Sequence, residues 1–137
     1  MTMTSRAVRR AAGYHPNAYH FVYQALRFTQ HRLQRALPEG VADDDPRVED
    51  AHLSGSELLE GIRDFALDQF GLLTRTVFRR WGIRTTDDFG YIVFELVERG
   101  EMSKTDRDQL SDFFDVYDFS EVFDRDYRMN VSQVFAK

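Results

Sequence analysis

A chain of 137 residues, 42% of them apolar, with no cysteine and a net charge of −5, has the size and composition of one soluble globular domain. The missing cysteines exclude disulfides, thiolate zinc sites, iron–sulfur clusters and thiol nucleophiles, and agree with a cytoplasmic setting. No stretch is apolar for the length of a membrane helix, and the arginines near the start have no apolar signal core behind them, so no membrane association is expected.

Charge divides the chain. Residues 1–37 hold Arg6, Arg9, Arg10, Arg27, Arg32 and Arg35 and no acid, whereas residues 38–53 hold six acids against one arginine. Met1 to Gly13 offers no large apolar anchor beyond its methionines and Val8 and reads as a flexible basic arm. From about Asn17 to Leu37 the recurrence of Val22, Ala25, Leu26, Thr29, Leu33 and Leu37 predicts a helix, with Pro16 near its start and Pro38 ending it. Residues 38–53, rich in proline and aspartate and without apolar periodicity, read as an exposed acidic linker.

Ser54 and Glu57 form a capping-box pattern ahead of the stripe Leu58, Leu59, Ile62, Phe65, Ala66 and Phe70, which stops at Gly71. A third helix is expected from about Leu72 to Trp81, ended by Gly82. Thr85 and Asp88 repeat the box before Phe89, Ile92, Val93, Leu96 and Val97, with Gly100 as the stop. Ser103 with Asp106, or Thr105 with Asp108, opens a shorter helix through Leu110, Phe113 and Phe114, and Phe119 to Asp124 adds one more turn. Met102–Lys104 and Val116–Tyr117 are candidates for a minimal two-stranded element near the C-terminus.

The words His52-Leu53-Ser54-Gly55-Ser56-Glu57-Leu58-Leu59-Glu60-Gly61-Ile62-Arg63, Gln69-Phe70-Gly71, Trp81-Gly82-Ile83, Asp87-Asp88-Phe89-Gly90, Ser103-Lys104-Thr105 and Val116-Tyr117-Asp118-Phe119 occur in this order. In them the chain, from Tyr19 to Phe123, resembles a small family of uncharacterised bacterial proteins. The resemblance implies kinship and carries no activity, ligand or catalytic residue.

The eight glycines are scattered singly, so no phosphate loop is formed, and Ser54-Gly55-Ser56 lacks the flanking glycines of a nucleophile elbow and reads as a helix cap. Glu49 and His52 have the spacing of a helical ligand pair but lie in the linker, and His20 and His31 share a helix face without a third ligand. No catalytic residue, cofactor or metal is assigned. Glu57, Glu60, Asp64 and Asp68 read as a solvated acidic face partly offset by Arg63. The helices around Gly82–Thr86 have helix-turn-helix proportions, but Asp87, Asp88, Glu95 and Glu98 on the second would repel phosphate.

The remaining nucleic-acid route is the arm, where Arg6, Arg9 and Arg10 precede Tyr14, His15 and Tyr19. At the other end Asp112, Asp115, Asp118, Glu121 and Asp124 recur every third residue among Phe113, Phe114, Tyr117, Phe119 and Phe123, which suggests packing against the basic first helix, within one chain or between subunits. The expected fold is an all-α bundle of four to five helices in one domain, with the acidic loop after the first. The expected role is a non-enzymatic interaction or regulatory protein with a protein partner or a second copy, and Arg6, Arg9, Arg10, Arg27, Phe119 and Phe123 are its candidate contact residues. A nucleic-acid or ribosome-associated role for the arm is the alternative.

Overall fold

A computed structural model describes residues 13–36, 40, 46, 51–102 and 109–126. It is a helical bundle: α1 Pro16–Arg32, α2 Gly55–Phe70, α3 Thr74–Trp81 and α4 Thr86–Glu98, with 3₁₀ turns at Gly71–Leu73 and Leu110–Phe113 and a π-helical turn at Ser120–Asp126. No strand occurs among the described residues: Val116 and Tyr117 are irregular, and Ser103 and Lys104 lie outside the description, as does the expected helix start at residues 103–108.

His15 caps α1, its Nδ1 accepting from the Asn17 N–H at 3.0 Å, and Pro16 occupies the first turn, where its missing N–H leaves no bond unmade. The helix ends at Arg32, before the Leu37 that periodicity suggests, because Gln34 turns left-handed (φ 59°) and the Arg35 N–H closes on the Gln30 carbonyl at 2.7 Å. Of the linker, Gly40, Pro46 and residues 51–53 are described, and its last part is not exposed: Ala51 and Leu53 are buried.

α1 and α2 run antiparallel. Phe21 meets Phe70, Phe28 meets Phe65, Arg32 meets Asp64 and Arg35 meets Glu57, so positions rise along one helix as they fall along the other. At the crossing a Cβ on Gly61 would stand 1.7 Å from Thr29 Oγ1, so the axes approach as closely as they do only because Gly61 has no side chain. The Ser54–Glu57 capping box forms as read, with Glu57 N–H to Ser54 Oγ at 3.1 Å and Ser54 N–H to Glu57 Oε1 at 3.0 Å. The expected third helix splits, its first residues forming the 3₁₀ turn, because the Thr74 hydroxyl donates to Gly71 O (2.7 Å) and to Ala66 O (3.3 Å) and locks the joint.

Gly82, at φ 86°, ends α3, and the Ile83 N–H returns to Phe78 O at 2.8 Å. α4 is the central helix, with eight of its thirteen residues buried, Asp88 among them. The Asp88 carboxylate accepts from Tyr14 OH (2.5 Å), Arg84 N–H (2.7 Å) and Thr85 N–H (3.1 Å), so one side chain caps α4, holds the α3–α4 connection and anchors the start of α1.

The C-terminal segment packs on α4, α2 and α3, and among the described residues its acids do not answer the arginines of α1. Gly90 lets Phe113 press onto α4, where a Cβ would come within 2.7 Å of Phe113 Cβ, and Tyr117 OH donates to Leu59 O at 2.8 Å, its burial raising the phenol pKa well above the ordinary value. The threefold acid spacing serves the irregular backbone instead. Asp112 Oδ2 accepts from Gln109 N–H at 3.2 Å, Asp115 adopts φ 50°, and Asp118 accepts from the Ser120 and Glu121 N–H groups. Phe119 and Phe123 are core residues, 7% and 1% exposed. Their rings meet Phe78 at 5.6 and 5.4 Å, and Phe78 also meets Phe21 and Phe89 at 5.6 and 5.3 Å, so α1 and the C-terminal segment communicate through this one ring.

Candidate functional site

Two of the six expected contact residues are packed away inside the fold. Phe119 and Phe123 lie inside the core, and Arg27, exposed on α1, is 3.4 Å from Tyr23 OH and takes no part in C-terminal packing. Arg6, Arg9 and Arg10 lie outside the described residues, as does Glu49. The aromatics expected to extend the arm are engaged elsewhere: His15 is the α1 cap, Tyr14 binds Asp88, and Tyr19 OH donates to Glu95 Oε2 at 2.6 Å beneath the Arg99 guanidinium, 4.4 Å from the ring centre. His20 and His31 are exposed, and no group of three or more metal-ligating side chains comes together among the described residues. α4 cannot enter a major groove, because it is the core helix.

The acidic stripe of α2 is less solvated than its spacing suggests. Arg35 reaches Glu57 at 2.8 Å and Arg32 reaches Asp64 at 2.5 Å, with Arg63 also on Asp64 at 3.0 Å. The Ser54 N–H and then Arg35 hold the Glu57 pKa below its usual value; burial raises that of Asp64, but Arg63 and Arg32 outweigh it and the net shift is downward. Arg32 and Arg35 are thereby spent within the fold.

Unspent positive charge collects on α3. Residues 74–84 contain Arg75, Arg79, Arg80 and Arg84 and no acid. Arg75, Arg79 and Arg84 line a cleft of about 360 Å³ whose floor is Ile83 and Phe119. Helical spacing puts Arg75 and Arg79 one turn apart on one side, while the Asp88 carboxylate holds the backbone of Arg84 across from them. Arg75 is engaged by Asp124 Oδ2 at 2.7 Å. The Asp118 carboxyl has a depressed pKa, through its bonds from the Ser120 hydroxyl and the two turn N–H groups and, more weakly, through the charge of Arg75. The guanidinium groups of Arg79, Arg80 and Arg84 meet no carboxylate among the described residues. Leu72 and Leu73, on the 3₁₀ turn leading into α3, are 61% and 63% exposed, so apolar and cationic surface adjoin.

These arginines escape a reading by long segments because the surrounding stretch, residues 54–100, is net negative. The local signal is four arginines in eleven residues without an acid. No family model, curated protein or solved structure matches the chain.

Proposed function

We propose that the chain is a non-enzymatic interaction protein that docks an acidic, apolar-containing segment of another protein along the outer edge of α3. The observation that carries this reading is the run of exposed Leu72, Leu73, Arg79, Arg80 and Arg84, apolar at one end and cationic at the other, with no carboxylate on those three arginines among the described residues. Charge selects the partner. In a chain whose net charge is −5 a local excess of arginine steers acidic surfaces to one edge, and two exposed leucines supply the apolar burial that ion pairs at a rim do not.

A fluorescently labelled peptide alternating glutamate and leucine tests it by anisotropy. The wild type binds with an affinity that falls as salt rises, Arg79→Glu/Arg84→Glu and Leu72→Ser/Leu73→Ser each weaken binding by about tenfold or more, and Arg27→Glu leaves it unchanged. Equal binding by all four proteins contradicts the reading. A nucleic-acid role through Arg6, Arg9 and Arg10 is the second reading, weakened because Tyr14, His15 and Tyr19 are engaged in the fold and are not presented for base stacking.

A further inference from the structure

The geometry points to a phosphomonoester seat in the cleft of Arg75, Arg79 and Arg84, filled by a phosphorylated serine or threonine of the acidic partner; this rests on the docking reading above. Three features of the cleft carry it. First, its wall is guanidinium, whose planar fork pairs with phosphate oxygens two at a time. Second, its charge is unbalanced by two: Arg75 is answered by Asp124, while Arg79 and Arg84 have no carboxylate among the described residues. One carboxylate neutralises half of that excess, whereas a phosphomonoester, with a charge of about −1.5 to −2 near neutral pH, neutralises nearly all of it. Third, its apolar lining residues Ile83 and Phe119 are buried, 2% and 7% exposed, so one side of a seated anion would face protein rather than water.

The fold already places a carboxylate on this wall. Asp124 occupies Arg75 from within the chain, in the position of a competing anion, and Asp118 stands near enough for its titration to sense Arg75. A phosphoryl group seated between Arg79 and Arg84 would share the Arg75 guanidinium with Asp124, whose negative charge opposes it. Asp124 therefore tunes the affinity downward, and its neutralisation strengthens binding, an effect that a purely structural ion pair does not produce. The backbone of Arg84 is held by the buried Asp88, so the seat is built into the α3–α4 connection before any ligand arrives.

Isothermal titration of the full chain with a phosphoserine peptide flanked by glutamate and leucine, with its unphosphorylated twin and with inorganic phosphate, tests the proposal. The phosphopeptide is expected to bind about tenfold or more tighter than the twin, with the advantage lost in Arg79→Gln/Arg84→Gln, kept in Arg27→Gln and increased several-fold in Asp124→Asn. The advantage also declines as the pH falls below about 6, where the phosphate takes up its second proton. Inorganic phosphate at millimolar concentration competes with the phosphopeptide. Equal affinity for the two peptides, both weakened by Arg79→Gln/Arg84→Gln, overturns the phosphate seat and leaves the acidic docking edge standing. Failure of both peptides to bind overturns both. Inorganic phosphate binding as tightly as the phosphopeptide shows a free phosphate source and overturns the assignment to a protein partner.

Discussion

Phe78 touches more of the fold than any neighbouring ring, with Phe21, Trp81, Phe89, Phe119 and Phe123 all within 6.2 Å of its centre, and it is 1% exposed. Phe78→Ala is therefore expected to cost about 3 to 5 kcal/mol in denaturant unfolding, and Phe123→Ala, at equal burial, a similar amount. Leu72→Ala, at 61% exposure, is expected to stay within about 0.5 kcal/mol of wild type, and a Phe123→Ala protein as stable as wild type would contradict the core assignment. At Gly61 the constraint is reversed, since the position lacks space where Phe78 fills it. Gly61→Ala is expected to lose about 1 to 3 kcal/mol through overpacking at the α1–α2 crossing. Thr29→Ala should restore only part of that loss, because Thr29 Cβ stands 2.8 Å from the added methyl. Full stability of Gly61→Ala would show that the two helices can part without cost.

At the scale of elements, the α1–α2 seam joins an apolar crossing to two ion pairs, Arg32–Asp64 and Arg35–Glu57, each about a third exposed. Each contributes about 0 to 1 kcal/mol after solvent screening. Both carboxyls titrate below their ordinary values of 4.5 for Glu57 and 3.8 for Asp64, so their contribution is present above those values and lost as the pH falls through the depressed ones. Unfolding followed from pH 6 down to about pH 2 should show this loss in wild type and a smaller one in Arg32→Gln/Arg35→Gln; parallel curves would mean that the pairs are ornamental. The same elements show what was legible beforehand. Local caps and stops are visible in spacing: the Ser54–Glu57 and Thr85–Asp88 boxes, and Gly82 and Gly100 as stops. Sequence and structure diverge where a non-local partner decides. Leu33 and Leu37 continue the α1 period, but the left-handed Gln34 ends the helix and brings Arg35 to Glu57. The acids from Asp112 to Asp124 repeat regularly, yet they cap turns and reach Arg75, which no one-dimensional pattern distinguishes from pairing with α1.

Across the whole molecule, charge is sorted by use. The arginines of α1 are consumed at the seam with α2 or stand apart on the surface, the acids of the C-terminal segment hold its turns, and the positive charge left over gathers on α3 beside two exposed leucines. Aromatic packing makes this division durable, because it fixes α3 between α1 and the C-terminal segment through Phe78 and turns the arginine side outward. The candidate site was the least legible part of the sequence: Arg75, Arg79 and Arg84 become a cleft only when Phe119 arrives beneath them from thirty-five residues beyond Arg84. Among the described residues no helix is long and apolar enough to cross a membrane. The most direct test replaces Arg80 or Arg27, one at a time, with a photo-crosslinking benzoylphenylalanine in the full chain, irradiates it in its native cells and maps the adducts. The docking account is supported by adducts from position 80 to an acidic segment of a second protein, with none from position 27, and contradicted by adducts from position 27 with none from position 80, or by crosslinking to nucleic acid alone.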